Sequence, residues 1–192
     1  LLVADDKGVE AILSAISRRA AFHSEDEYML EARKHLRVPG DPASHPLWRS
    51  PEVAMSCTRR LVDIARRTGK RIHVLHNSTA DEMVFLADHK DVASVEVTPH
   101  HLTLDETAYT RLGTYAQMNP PVRDKAHRAG IWAGVANGVA DILGSEVLDE
   151  AESARVPGSA VFMFKELGKA PPALVNNLKH NKVLHRTTLI VS

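Results

Sequence analysis

The chain has 192 residues, which is enough for one domain or for a piece of a larger one. Its 24 basic and 24 acidic side chains cancel to a formal charge of zero, so the charge excess typical of proteins that bind nucleic acids or anionic membranes is excluded. Hydrophobic residues make up 44% of the chain, enough for a core, yet no apolar run approaches the roughly 18 residues of a membrane span.

In chain order, short apolar strands alternate with amphipathic helices. Helices are predicted over residues 7–19, 51–68, 79–87 and 123–137. Strands are predicted over residues 20–23, 71–76, 92–98 and 140–144. Residues 24–50 form a polar connection that is too long for a simple turn, which favours a functional role. The repeated alternation predicts right-handed βα units and a parallel sheet covered by helices.

The single cysteine bears on the cellular location of the protein, and the first residues bear on whether the chain is part of a longer one. Cys57 cannot form an internal disulfide, which favours a reducing, cytoplasmic location, and it is expected to be a small buried hydrophobe. The chain opens Leu1-Leu2-Val3, without an initiator Met or a signal peptide. We therefore expect it to be a piece of a longer protein.

Polar residues follow each of the predicted strands at its end. His23 precedes Ser-Glu-Asp, His76 precedes Asn-Ser-Thr, Thr98 precedes Pro-His-His, and Gly144 precedes Ser-Glu. In parallel α/β folds the carboxyl ends of the strands carry the chemistry. The sequence therefore predicts a functional site at this end of the sheet.

His23 and His76 are the candidate metal ligands, because both stand at the last position of an apolar strand. Neutral imidazoles from neighbouring strands are good ligands for zinc and similar divalent ions. The alternative is that each is an ordinary histidine bonded to a backbone carbonyl. Glu25 and Asp26 could support the ligands or cap the following segment.

The remaining histidines have weaker support. His100 and His101 fit either a site or a pair on the surface, and His73 is expected to pack against a helix. The others have no supporting pattern and are predicted to be solvated: His35, His45, His89, His127, His180 and His185.

Asn119 is the candidate ligand-binding amide. Pro120 and Pro121 follow it and force an extended backbone, which holds the preceding residue in a fixed pose. Its side chain offers both a donor and an acceptor to an amide or imide ligand. The alternative is a plain loop leading into the helix at 123–137, which explains the prolines but not the asparagine.

Several stretches together resemble the dihydroorotases of the amidohydrolase superfamily. They are LLVADDKGVEAIL, AAFHSEDEYMLEARK, GKRIHVLHNSTADEM, SVEVTPHHLTLDE and AQMNPPVRDKAHR, and they cover roughly residues 1–145 in order. Related hydantoinases and allantoinases look different where this chain has VEVTPHHLTL and MNPPVR.

The resemblance implies an α/β fold, part of a (β/α)8 TIM barrel from about the fourth helix to the eighth strand. It implies one or two zinc ions, with His23 and His76 as the ligands from strands five and six, and Asn119 as a substrate-binding residue. The implied reaction is the reversible hydrolysis of dihydroorotate to carbamoyl aspartate in pyrimidine biosynthesis. The substrate is a small molecule, and neither a nucleic acid nor a membrane is an expected partner.

The sequence departs from the family pattern at both ends. The family's His-x-His pair on strand one and its metal-bridging residue on strand four would lie before Leu1. After Gly144-Ser145 the family continues with Asp-His-Ala-Pro-His, whereas here Glu146 stands at the position of the catalytic aspartate. We find no resemblance over residues 146–192, which we expect to be a divergent tail beyond a partial barrel at 1–145.

These departures leave two hypotheses about function. The first is an incomplete copy of a dihydroorotase, with little activity as this exact chain. The alternative is a non-catalytic homologue that supports a partner enzyme of the pyrimidine pathway by contact. The protein partners expected in either case are a second copy of the chain, in a homo-oligomer, or a pyrimidine-pathway enzyme.

Overall fold

The computed structural model describes residues 3–144, 154–163 and 183–191. The chain divides into two compact units, Leu1–Asp141 and Ile142–Ser192. The helices are α1 (Asp6–Ala15), α2 (Glu27–Arg33), α3 (His45–Trp48), α4 (Pro51–Thr68), α5 (Ala80–Ala87), α6 (Pro99–Thr103), α7 (Thr107–Leu112) and α8 (Lys125–Ala136). Short 3-10 turns lie at Lys34–Leu36, Pro42–Ser44 and Gly113–Ala116.

The strands confirm the predicted parallel sheet. They are β1 (Ala20–Phe22), β2 (Ile72–Val74), β3 (Ala93–Val97), β4 (Ile142–Leu143), β5 (Ala154–Met163) and β6 (Val183–Val191). The first three form one sheet in the order β1-β2-β3, in which β1 pairs with β2 and β2 with β3 in parallel. In the second unit, β5 and β6 form a parallel pair of their own.

The helices begin and end where local chemistry allows. Pro51 occupies the first turn of α4, where its missing N–H costs no hydrogen bond. Gly69 ends the helix with φ 65°, a left-handed conformation that a residue without a Cβ adopts easily. At α5, Thr79 is the N-cap: its hydroxyl accepts from the Glu82 amide and donates to the Glu82 carboxylate.

The core of the first unit lies between one face of the sheet and the helices. Leu13 of α1, Ile64 of α4 and Leu86 of α5 pack in one buried cluster with Ile72 and Val95 of the strands. This arrangement leaves the carboxyl ends of the strands free of the apolar layer, so that polar loops can meet there.

Helices α5 and α8 approach closely at a glycine. A Cβ placed on Gly130 would lie 2.2 Å from the Cβ of Ala80 and 2.9 Å from its Cα. Glycine at position 130 opposite the small Ala80 permits this contact, which keeps α8 against the start of α5.

Two features differ from the sequence-based expectation. The connection at 24–50 contains α2 and α3 rather than irregular chain, because its helices are too short for a periodic pattern to stand out. His73 does not pack against a helix: its Nδ1 lies 2.8 Å from the Ser94 hydroxyl of the neighbouring strand, on the sheet face opposite the core. The expected boundary at residue 146 lies outside the described residues and stays a prediction.

Among the residues that the structure describes, no helix combines the length and the apolar character needed to cross a membrane.

Candidate metal and substrate site

Two imidazoles meet at the carboxyl ends of β1 and β2. His23 directly follows β1, and His76 comes two residues after β2, so parallel pairing of the strands brings both to the same edge. Nδ1 of His23 lies 3.2 Å from Nε2 of His76, and the two rings stand edge to face with centroids 4.9 Å apart.

This separation fits two ligands of one ion. Two nitrogens that bind a tetrahedral zinc at about 2.0–2.1 Å are about 3.3 Å apart. Burial lowers the pKa of His76 to about 3, which keeps the imidazole in the neutral form that metals require. Its backbone has φ 35°, a strained conformation for a residue other than glycine and one that is found preferentially at functional sites.

A buried ion pair fixes the orientation of His23. Its Nε2 donates to the Glu25 carboxylate at 2.9 Å, which leaves the lone pair of Nδ1 facing His76. The Glu25 side chain is fully buried and is also held by Arg49, whose Nε lies 3.1 Å from each carboxylate oxygen. Burial raises the pKa of Glu25, but the hydrogen bonds from His23 and Arg49 outweigh it and hold that pKa below its usual value.

The described part of the chain supplies two candidate metal ligands rather than a complete set. Within residues 3–144, no group of three His, Cys, Asp or Glu side chains stands close enough to hold an ion. His76 Nδ1 is buried without a hydrogen-bond partner there, so its ring lacks the supporting contact that His23 has. Glu146, predicted at the position of the catalytic aspartate, lies outside the described residues.

Asn119 opens onto the same region as His23. Both residues line a pocket of ≈ 380 Å³, together with Trp48 and Arg49. The Asn119 side chain is exposed, whereas Pro120 and Pro121 behind it are buried. The predicted loop is therefore packed on one side and presents its amide on the other.

Three side chains hold this loop by its backbone oxygens. His45 Nε2 donates to the carbonyl of Met118 at 2.9 Å, and His101 Nε2 donates to that of Pro120 at 3.0 Å. The Tyr109 hydroxyl donates to the carbonyl of Val122 at 2.9 Å. Burial lowers the pKa of His101 to about 4, so it acts here as a neutral donor.

Arg123 joins the loop to the ion pair beside His23. Its guanidinium donates to the backbone carbonyl of Arg49, the residue that holds Glu25, and lies 3.4 Å from the Ser78 hydroxyl after β2. The side chain is buried, which lowers the pKa of the guanidinium. The Asn119 loop and the two histidines are thus parts of one hydrogen-bonded assembly.

A second buried carboxyl, that of Glu82, connects the loops after β1 and β2 through hydrogen bonds. Glu82 accepts from the hydroxyls of Thr58 at 2.6 Å and Thr79 at 2.7 Å, and Thr58 also bonds to Ser24, the residue after His23. Complete burial raises the pKa of Glu82. This cluster connects the loop after β1 with the loop after β2.

Sequence reasoning missed several of these roles. His45 was predicted to be solvated, which is wrong, because it is half-buried and bonded to Met118. His101 is neither a surface residue nor a lining residue of the pocket; it is buried beneath the loop, with its Nδ1 bonded to Thr98. His89 and His127 are half-buried and bond to backbone groups, whereas His35 is exposed, as predicted. His180 and the side chain of His185 lie outside the described residues.

No local signal could have shown these contacts. The Arg49–Glu25 pair spans 24 positions and the His45–Met118 bond spans 73. The Thr79–Glu82 contact was the exception, since a Thr three residues before a Glu at a helix start is a readable N-cap pattern.

The sequence has relatives among enzymes that act on cyclic amides, although no protein-family model matches it. A dihydroorotase of Latilactobacillus sakei is 32% identical over 165 residues, which is 84% of this chain and 34% of the relative. An allantoinase of Salmonella paratyphi B is 31% identical over 126 residues, which is 63% of this chain and 27% of that protein.

The fold is shared with solved hydantoinases. An L-hydantoinase (dihydropyrimidinase) from Arthrobacter aurescens superposes with a TM-score of 0.69 at 22% identity, over 72% of this chain and 33% of that one. The chain therefore spans about a third of the length of the proteins that it matches. Its α/β architecture is that of a partial TIM barrel, as expected.

Proposed function

We propose that this chain, a homologue of the dihydroorotases in the amidohydrolase superfamily, serves the zinc-dependent, reversible hydrolysis of dihydroorotate to carbamoyl aspartate. This reaction belongs to de novo pyrimidine biosynthesis. The single cysteine fits a cytoplasmic enzyme. The proposal concerns the activity of a protein about three times as long as the matched part of this chain.

One observation carries the proposal: His23 Nδ1 and His76 Nε2 are 3.2 Å apart, and His23 lines the same pocket as Asn119. A pair of neutral imidazoles suits a divalent metal, and the asparagine amide suits a cyclic amide ring, because it both donates and accepts. The imidazole pair and the asparagine amide are ligand types that hydrolysis of a ring amide would use, and His23 and Asn119 line one pocket.

His23 and His76 would hold the ion, which supplies Lewis acidity toward the ring carbonyl when bound. Glu25 keeps His23 Nε2 protonated and so keeps Nδ1 free as a ligand atom. Asn119 orients the substrate ring by hydrogen bonds. Glu146, at the position of the family aspartate, is proposed to accept and return the proton that moves during ring opening.

Binding to the 192-residue chain tests the proposal without requiring turnover. Zinc content is measured for the wild type and for the double variant that carries both His23→Ala and His76→Ala. Saturation-transfer NMR then compares dihydroorotate, allantoin and hydantoin. We expect zinc to depend on both histidines and dihydroorotate to bind in preference to the other ring amides. Zinc binding that survives the double substitution, or a preference for allantoin or hydantoin, contradicts the proposal.

Asn119→Ala separates substrate binding from metal binding. Loss of the amide is expected to weaken dihydroorotate binding while zinc content stays unchanged, because Asn119 is not a proposed ligand. Loss of zinc in this variant would instead assign the residue a structural role.

A non-catalytic homologue is the second candidate, favoured by the lack of a three-ligand cluster within the described residues. Such a protein would contact a partner enzyme of the pyrimidine pathway or a second copy of itself. It predicts no turnover of dihydroorotate even with excess zinc. Turnover of about 1 s⁻¹ or more, the ordinary range for enzymes, would favour the catalytic alternative.

A further inference from the structure

The backbone of the Asn119 loop is held by a set of donors that come from three different helices. The oxygens of Met118, Pro120 and Val122 alternate along the extended chain, and each accepts one side-chain hydrogen bond. We refer to His45, His101 and Tyr109, which donate these bonds, as the loop clamp.

We propose that the loop clamp consists of positioning residues, which fix the Asn119 amide at the mouth of the pocket before a ligand binds. The clamp itself is argued from hydrogen bonds alone. Its consequence for ligand binding rests on the proposed function, in which Asn119 contacts a cyclic amide.

Side-chain donors are needed here because of the two prolines. Pro120 and Pro121 have no N–H, so this stretch cannot pair with a strand through a regular ladder. Its backbone oxygens nevertheless lie in a buried environment, where an unpaired acceptor is unfavourable. The clamp side chains supply the hydrogen bonds that a neighbouring strand would otherwise provide.

The donors are themselves held in place. His101 is only 2% exposed, and its Nδ1 accepts from the Thr98 hydroxyl at the end of β3. This bond fixes the tautomer in which Nε2 carries the proton. Tyr109 is 3% exposed within a small apolar cluster that includes Val122. The loop is therefore attached to the sheet through His101 and to α7 through Tyr109.

The third donor connects the loop to the other side of the pocket. His45 belongs to α3, in the segment that also carries Trp48 and Arg49 of the pocket wall. The clamp thereby sets the distance between Asn119 and the wall that contains His23. A preorganised amide avoids the ordering cost that a mobile loop would incur when a ligand binds.

The test uses hydrogen exchange of the loop amides in the 192-residue chain, namely those of residues 117–119, 122 and 123. Tyr109→Phe deletes one hydroxyl and keeps the ring, and His101→Met removes a donor. Loss of one buried hydrogen bond corresponds to about a 3- to 10-fold change in an equilibrium. We expect loop exchange to rise by about that factor in each variant, while exchange in β1 and β2 stays unchanged.

Two controls separate positioning from general destabilisation. Tyr115→Phe deletes the hydroxyl of a tyrosine that is 96% exposed, and it should leave the loop amides unchanged. His101→Gln restores an amide donor toward Pro120, and it should recover much of the wild-type protection. A loop that exchanges at the wild-type rate in both Tyr109→Phe and His101→Met overturns the clamp.

Ligand binding is measured in parallel with the same proteins. We expect Tyr109→Phe to weaken dihydroorotate binding about 3- to 10-fold with zinc content unchanged. A loosened loop with unchanged affinity overturns the positioning role. If the wild type itself fails to bind dihydroorotate, the proposed function fails, while the loop exchange still decides whether the clamp exists.

Discussion

His23 donates from Nε2 to the buried Glu25 carboxylate at 2.9 Å, and the opposite nitrogen of the same ring faces His76. A carboxylate behind a histidine raises its basicity and fixes its tautomer and orientation as a metal ligand. Glu25 should therefore matter for metal binding although it faces away from the ligand nitrogens.

Glu25→Gln is expected to lower the affinity for zinc by about 10- to 100-fold, the range found when such a partner is lost. The amide keeps the size of the side chain but loses the charge. Affinity is measured by competition with a chromophoric chelator. Glu106→Gln, at an exposed position that does not line the pocket, is the matched control and should bind zinc as the wild type does. Equal affinity in the two variants would contradict the supporting role of Glu25.

The Arg49–Glu25 pair makes a prediction about stability. Arg49→Met leaves the Glu25 carboxylate buried without its cationic partner, which should reduce the free energy of unfolding by about 3–5 kcal/mol. Lys34→Met breaks the exposed pair with Glu31 and should cost no more than about 1 kcal/mol. Urea denaturation measures both values, and a similar small loss in the two variants would show that the buried pair is not important for folding.

The contact between α5 and α8 predicts a reversal of the ordinary helix propensity. Replacing glycine by alanine inside a helix normally stabilises it by about 1 kcal/mol. Gly130→Ala should instead destabilise the chain by about 1–3 kcal/mol, because the new methyl group would overlap Ala80. Adding Ala80→Gly removes the closer of the two overlaps and should restore part of the loss, because the new methyl group would still lie 2.9 Å from the Cα at position 80. A stabilising effect of the single substitution in thermal unfolding would refute the close approach.

The buried His101 predicts a pH dependence with a defined sign. Its folded-state pKa is lowered to about 4, whereas an unfolded histidine titrates near about 6.5. Between these values the unfolded chain binds the extra proton, so stability falls as the pH falls from about 6.5 toward 4 and does not change above about 7.5 through this group.

His101→Gln removes that proton-binding site while keeping a donor toward Pro120. The unfolding free energy of the variant should therefore fall less steeply than that of the wild type between about pH 6.5 and 4. Urea denaturation at several pH values gives both slopes. Parallel slopes over this interval would mean that His101 is protonated equally in the folded and the unfolded chain.

Much of the architecture could be predicted because it depends on local patterns. The helix predicted over 51–68 is α4 with the same bounds, and the apolar runs at 71–76 and 92–98 contain β2 and β3. Parallel pairing then required that residues at the strand ends share one edge, and His23 and His76 do lie side by side there. The proline pair likewise identified the loop that presents Asn119.

The supporting contacts were decided only by the tertiary structure. Nothing near Glu25 in the sequence marks Arg49 as its partner, and nothing near Met118 marks His45. Alternation of apolar and polar residues shows which face of an element is buried, but it does not show which distant polar groups meet in that buried space. These hydrogen bonds between distant residues form because each buried donor and acceptor needs a partner once the elements have packed. An unpaired polar group in a low-dielectric interior is unfavourable.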